Sequence, residues 1–253
     1  AHMANKTGNR RAQAGHAALG HHSDSDRAGV MRILCAVPTY PKAPLMYAAT
    51  WDTLHAQDIP DGVELSIVRI ESPGGIADHR QDLLAKHLLA RQMVIEGDYD
   101  ALWTVEADMI LLPDALANLL QVDAGVVYGL YSARSTGMWL CFPQLGERGT
   151  QSITASPKAA IAAWGNVIDS QGAGMGCTLI RRSVFDSVSF RLGSPQFHDD
   201  WIFAQDCIAA GIAQKHHCGV VCGHILNEKM ALWPDRNSGA AFRRYDPGNY
   251  RMI

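Results

Sequence analysis

The chain has 253 residues, a hydrophobic share of 47% and a formal net charge of −3. That length suffices for one domain with a substantial core, and the charge balance gives no general drive toward nucleic acid or a membrane surface. No apolar run approaches the roughly 20 residues of a membrane-spanning helix, and the N-terminus lacks the apolar stretch of a signal peptide.

Six cysteines are scattered without a CxxC pair, and several fall inside apolar stretches. They read as reduced thiols, mostly in the core, of a cytoplasmic protein. Ala1-His2-Met3 has the form of a cloning scar. Residues 4 to about 30 are polar and without apolar periodicity, so residues 1–30 are expected to be a disordered tail.

The first strand is expected over Arg32 to Val37. It breaks at Pro38-Thr39-Tyr40-Pro41, and in an open α/β sheet ligands sit beyond the carboxyl ends of the strands. Thr39 and Tyr40 are therefore placed either to touch a ligand or to form a plain strand–helix turn. A helix from about Ala43 to His55 follows, then a strand from Val63 to Ile70 ending in Glu71. After a Ser-Pro-Gly-Gly loop, Ile76 to Glu96 has the spacing of an amphipathic helix. Arg80 in its first turn is placed either to meet a diphosphate or to form an exposed ion pair.

A buried strand over Ala101 to Val105 leads into Glu106-Ala107-Asp108. Two carboxylates two positions apart, just past a strand, can reach one hard cation if Ala107 turns the chain, and magnesium and manganese favour such oxygen ligands. The alternative is a solvated acidic turn. A helix Asp114 to Leu120 and a strand Gly125 to Leu130 follow. Residues 132–170 show little pattern, although Met138 to Phe142 has strand character. Trp139, Phe142 and Trp164 are either core or a platform for an acceptor, with at least two read as core.

Gly172 to Ile180 reads GAGMGCTLI, a glycine-rich turn into a strand that lets backbone approach a neighbour closely. It is not a dinucleotide fingerprint, because Cys177 stands where the third glycine belongs. Arg181 to Val188 has helical spacing. Asp199 and Asp200 then open a helix that runs to Ala210 before Gly211, and one of them suits an N-cap. A last strand, Lys215 to Cys222, ends at Gly223-His224. His216, Cys218, Cys222 and His224 fall on one side of a strand, but the spacing suits structural zinc poorly and core thiols better. Residues 227–253 carry arginines among aromatics and are expected to form a C-terminal lid or tail.

The succession PTY, Glu71, Arg80, EAD, glycine-rich turn, HDDW and VVCGH resembles the GT-A glycosyltransferases, in flavour glycosyltransferase family 2 and its relatives. It spans about residues 31 to 226. The resemblance implies an α/β, Rossmann-like single domain with a mixed, mainly parallel sheet flanked by helices. It implies a nucleotide-sugar donor held by Pro38, Thr39, Tyr40, Glu71 and Arg80, with Gly174 and Gly176 bordering the sugar. Glu106, Asp108 and His224 would hold Mn2+ or Mg2+, and Asp200 or Asp199 would be the base of an inverting transfer. A UDP-sugar is the favoured donor. The acceptor is open among glycans, small molecules, proteins and modified nucleic acid.

Two features depart from the family pattern: Glu106 replaces the first Asp of the metal motif, and the acidic pair is Asp-Asp. The competing readings are a non-catalytic nucleotide-sugar or glycan-binding module and a nucleotidyltransferase. The second is disfavoured because PTYPKAP has no glycine-rich phosphate loop.

Overall fold

The computed structural model describes residues 29–39, 45–72, 76–145, 150–193, 198–246 and 250–253. The chain runs β1 (Met31–Pro38), α1 (Ala48–His55), β2 (Val63–Ile70), α2 (His79–Glu96), β3 (Ala101–Val105), β4 (Met109–Ile110), α3 (Ala115–Leu120) and β5 (Val126–Leu130). It continues through α4 (Pro157–Ala163), β6 (Val167–Asp169), β7 (Cys177–Arg181), α5 (Asp199–Ala209), β8 (Gln214–Val221), β9 (Gly223–Asn227), β10 (Met230–Asp235) and β11 (Ala240–Tyr245).

Seven strands form one sheet in the order β2-β1-β3-β7-β5-β8-β6. β1, β2, β3, β5 and β8 run the same way, while β7 and β6 run against them. The mixed, mainly parallel sheet expected from the sequence is therefore present. Its central strands are apolar runs buried along their whole length, such as ALWTV and VVYGL, because helices cover both faces. Cys35, Trp103 and Leu179 face α1 and α3 through Leu54 and Leu116. Leu34, Leu102 and Ile180 face α2 and α5 through Ala90 and Phe203.

The second sheet, in the order β11-β10-β9-β4, was not readable from the sequence. Its origin is a bulge in β8. His217 lies opposite Gly129, but Val221 is the next residue in register, opposite Leu130. The extra residues bend the chain out of the large sheet, and β9 then pairs with β4. The bulge also separates the His/Cys cluster. Cys218 packs with Trp139, Cys222 with Val105 and Met109, and His216 stacks on Tyr128 at 5.9 Å. Burial pushes His216 down to about 3, so it is a neutral core imidazole.

Several boundaries differ from expectation. The helix expected from Ile76 starts at His79, because the Asp78 side chain accepts from the Arg80 and Gln81 amides and caps it. Arg182–Asp186 is a 3-10 turn and not a longer helix. Met138–Phe142 makes only isolated bridges, Ser132 with Trp139 and Phe142 with Gly172. Tyr40 and most of the 1–30 tail lie outside the described residues. Among the described residues no helix is long and apolar enough to cross a membrane.

Candidate functional site

The acidic turn between β3 and β4 is held by backbone bonds on every side. The Glu106 amide donates to the Gly176 carbonyl, and the Met109 amide closes the turn onto the Glu106 carbonyl. The Ala107 carbonyl accepts from the Tyr47 amide at 2.9 Å and from Thr50 Oγ1 at 3.0 Å. The Ile225 amide reaches the Asp108 carbonyl at 2.8 Å. With both of its ends tied in this way, the turn presents Glu106 and Asp108 in fixed directions.

His224 arrives by strand register. Met109 pairs with His224 in the second sheet, so the residue after Asp108 lies directly across from the histidine. The ligand atoms of Glu106, Asp108 and His224 all lie within 4.8 Å of one another. His224 Nδ1 donates to the Ser132 carbonyl at 2.8 Å, which leaves Nε2, 3.3 Å from Asp108 Oδ2, as the ring atom that faces the carboxylates and can ligate a metal once its proton has left. Two carboxylates and an oriented imidazole are a donor set that fits Mn2+ or Mg2+. Burial and the Asp108 charge raise Glu106 to about 7, the mark of carboxylates crowded without a full countercharge.

Arg134 supplies part of that countercharge. It lies 3.1 Å from Asp108 Oδ2 and is held by the Ile225 carbonyl at 2.6 Å. Together these residues line a cavity of about 200 Å³ with Pro38, Thr39, His79 and Leu83. Thr39 is buried; its hydroxyl and amide both donate to the Ile70 carbonyl. Its own carbonyl accepts from the buried Lys86, which also pairs with Asp82 at 2.8 Å. The end of β1 is thereby fixed where it forms the cavity wall.

The remaining expected residues are distributed differently. Glu71 stands exposed after β2. Arg80 turns toward Asp78 at 3.5 Å, and the described lining residues from α2 are His79 and Leu83. Gly174 and Gly176 accommodate Tyr131. A Cβ on Gly174 would stand 2.2 Å from its hydroxyl, and one on Gly176 would stand 2.6 Å from its ring. The Gly176 amide donates to that hydroxyl at 3.0 Å.

Asp199 and Asp200 part company. Asp199 is fully buried and bonded to His87 Nδ1 at 2.6 Å. Asp200 instead lines a second cavity of about 170 Å³, with Gly174, Leu140, Phe142, Leu145 and Trp201. Burial and the neighbouring Asp199 raise its carboxyl above the usual range. Phe142 is thus at this cavity, whereas Trp139 and Trp164 pack on each other at 5.8 Å in a separate core cluster.

Arg134, His79 and Leu83 line the cavity without a local sequence signal that marks them. Arg134 lies just past the carboxyl end of β5, a place where ligand-binding residues gather, but it stands in a patternless stretch. His79 is one residue from Arg80, and helix phase alone decides which of the two faces inward.

No protein-family model matches the chain, and no curated protein matches it. Among solved structures it resembles A197 from STIV, with a TM-score of 0.54 and 17% identity over 85% of this chain and 95% of that one. The catalytic domain of Drosophila beta1,4-galactosyltransferase 7, in complex with xylobiose, superposes with a TM-score of 0.47 and 16% identity, over 79% of this chain and 72% of that one. The mannosyltransferase PcManGT from Pyrobaculum calidifontis, in complex with GDP-Man and Mn2+, gives 0.46 and 16%, over 78% and 57%. At these identities the likeness is one of fold.

Proposed function

We propose that the chain is a metal-dependent glycosyltransferase that moves a sugar from a nucleotide-sugar donor, with UDP-sugars favoured, to an acceptor hydroxyl. The observation that carries this reading is the grouping of Glu106, Asp108 and His224 within 4.8 Å at one cavity, with Asp200 set apart in a second one. One site holds negative charge ready for a cation, and the other offers a carboxylate against apolar walls.

Glu106, Asp108 and His224 would hold the divalent ion, which when bound supplies positive charge to the departing diphosphate. Arg134, fixed by the Ile225 carbonyl, adds a permanent cation on the same side. Pro38, Thr39, His79 and Leu83 enclose the rest of the nucleotide. Asp200 accepts the proton of the acceptor hydroxyl as that oxygen attacks the sugar. Its raised pKa suits it to hold that proton, and a base on the face opposite the leaving diphosphate would give inversion. Phe142 and Trp201, which line the same cavity, would pack against the apolar side of an acceptor sugar. Asp199, sealed in the interior with His87, supports the base and does not replace it.

The test is a thermal-shift screen of UDP- and GDP-sugars, each with and without Mn2+. A ligand selective for the folded state raises Tm by mass action. The expected result is a shift for one donor that requires Mn2+, followed by slow hydrolysis of that donor. A Mn2+-dependent shift without turnover would favour a binding module. Absence of any shift would refute the nucleotide-sugar site.

A further inference from the structure

Deepening this reading, and resting on it, we propose that His87 is the positioning residue for the base: through Asp199 it anchors the first turn of α5 and so aims the carboxylate of Asp200. The two partners are 112 residues apart in sequence, 2.6 Å apart in space, and fully buried. They join α2 to α5, and the His87 ring rests on Phe190 at 4.9 Å.

That start of α5 needs an external anchor. The N-cap residue, His198, makes no side-chain cap bond. Among the described residues Asp200 bonds to the next amide alone, with Oδ1 2.6 Å from the Trp201 nitrogen, so that bond does not hold the helix to the domain. Asp199, adjacent in the chain, does so through His87. A buried carboxylate without a partner is costly, and apolar packing at this place would have needed neither group. The charged groups bearing on His87 are Asp199 and Asp200 of α5 and Glu106 of the acidic turn. Burial would lower its pKa, but these carboxylates outweigh burial and raise it.

A plain structural staple predicts a different outcome from a positioning pair. A staple, when cut, lowers stability and weakens donor binding together with the rate. A positioning residue, when cut, lowers kcat while the donor still binds, since a misplacement of about 1 Å can cost on the order of 100-fold in rate.

The experiment compares wild type with His87→Leu, His87→Gln and His87→Asn. The probes are hydrolysis of UDP-glucose, UDP-galactose, UDP-N-acetylglucosamine and GDP-mannose with Mn2+, and calorimetric binding of UDP with Mn2+. Asn places a donor where Nδ1 stands, and Gln places it one bond further out. The expected result is that Leu and Gln lose about 100-fold in kcat with UDP affinity within about threefold of wild type, while Asn recovers at least about tenfold of that loss. Should Leu fail to fold, the contrast between Gln and Asn decides alone. Equal kcat in Gln and Asn, or kcat and UDP affinity falling in parallel, overturns the positioning role with the transferase reading intact. A wild type that binds UDP with Mn2+ but hydrolyses none of the four donors overturns both.

Discussion

Asp108 is shared by three neighbours: Arg134 at 3.1 Å, His224 at 3.3 Å, and, by charge, Glu106. Asp108→Asn should therefore weaken Mn2+ binding by at least the roughly 100-fold that even an outer partner of a metal ligand can cost. Unchanged affinity in calorimetry would remove Asp108 from the ligand set. The same residues give the pH dependence. Burial and Asp108 raise Glu106 to about 7. Burial would lower His224, but the hydrogen bond and charge of Asp108 outweigh it, so His224 is raised as well. An ion needs the ionised carboxylate and the neutral imidazole, so both protons must leave. Mn2+ affinity should then fall as pH drops below about 7, by up to about tenfold per unit for each proton displaced. A dissociation constant that stays flat across that range would show that neither proton competes. At the second cavity, Asp200→Asn should keep UDP and Mn2+ binding and lose about 10²- to 10⁴-fold in turnover, the usual weight of a general base. A fully active variant would place the base elsewhere.

At the scale of elements, the sites depend on how β7 approaches the acidic turn. Tyr131 occupies the space that side chains at 174 and 176 would fill. It stands edge-on to His224, with ring centroids 5.7 Å apart. Gly176→Ala would drive a Cβ to 2.6 Å from the Tyr131 ring and 2.9 Å from Met109 Cε. It should cost about 1–3 kcal/mol of stability as overpacking and weaken Mn2+ binding through the displaced turn. A variant with wild-type Tm and affinity would mean that Tyr131 yields freely. Elements with one strong local signal were readable in the sequence. β3 and β5 are unbroken apolar runs; α2 was legible as a helix but not by its buried face, which carries Asp82, Lys86, His87, Ala90 and Val94 while Leu88 and Ile95 are exposed. Glu106, Asp108 and Asp200 stand at element ends where their chemistry is visible. β10 and β11 were not readable, because β11 is exposed along most of its length and Pro234 interrupts β10, so pairing alone makes them strands. The glycines are conspicuous in the sequence, but their neighbour Tyr131 is more than forty residues away and no local pattern names it. Which aspartate faces a cavity was equally hidden, since it depends on His87 from another helix.

The whole molecule closes around the acidic turn from its far end. Residues 250–253 return to the start of α1. The Met46 amide donates to Ile253 at 3.1 Å, Ile253 donates back at 2.8 Å, and Ala48 donates to Arg251 at 2.7 Å. Tyr250 is buried with Tyr47, Ile225 and Ala231, against Ile110 of β4. Tyr47 and Thr50 in turn hold the Ala107 carbonyl, and Ile225 follows His224. The last residues of the sequence are thus one layer behind all three proposed ligands, which argues that they act as a brace. Removing residues 250–253 takes away a buried tyrosine, worth about 3 kcal/mol or more, and three backbone bonds of about 1 kcal/mol each. At about 2–4 °C per kcal/mol for a chain of this size, that total corresponds to a Tm loss of at most about 12–24 °C, reduced by relaxation of the freed edge. Mn2+ affinity should drop with it, whereas Met252→Ala, at a partly exposed side chain, should leave both nearly unchanged. If the shortened chain melts lower but binds Mn2+ as tightly as the full one, the brace serves the fold alone, and the acidic turn keeps its shape from Gly176 and Ile225 without help from α1.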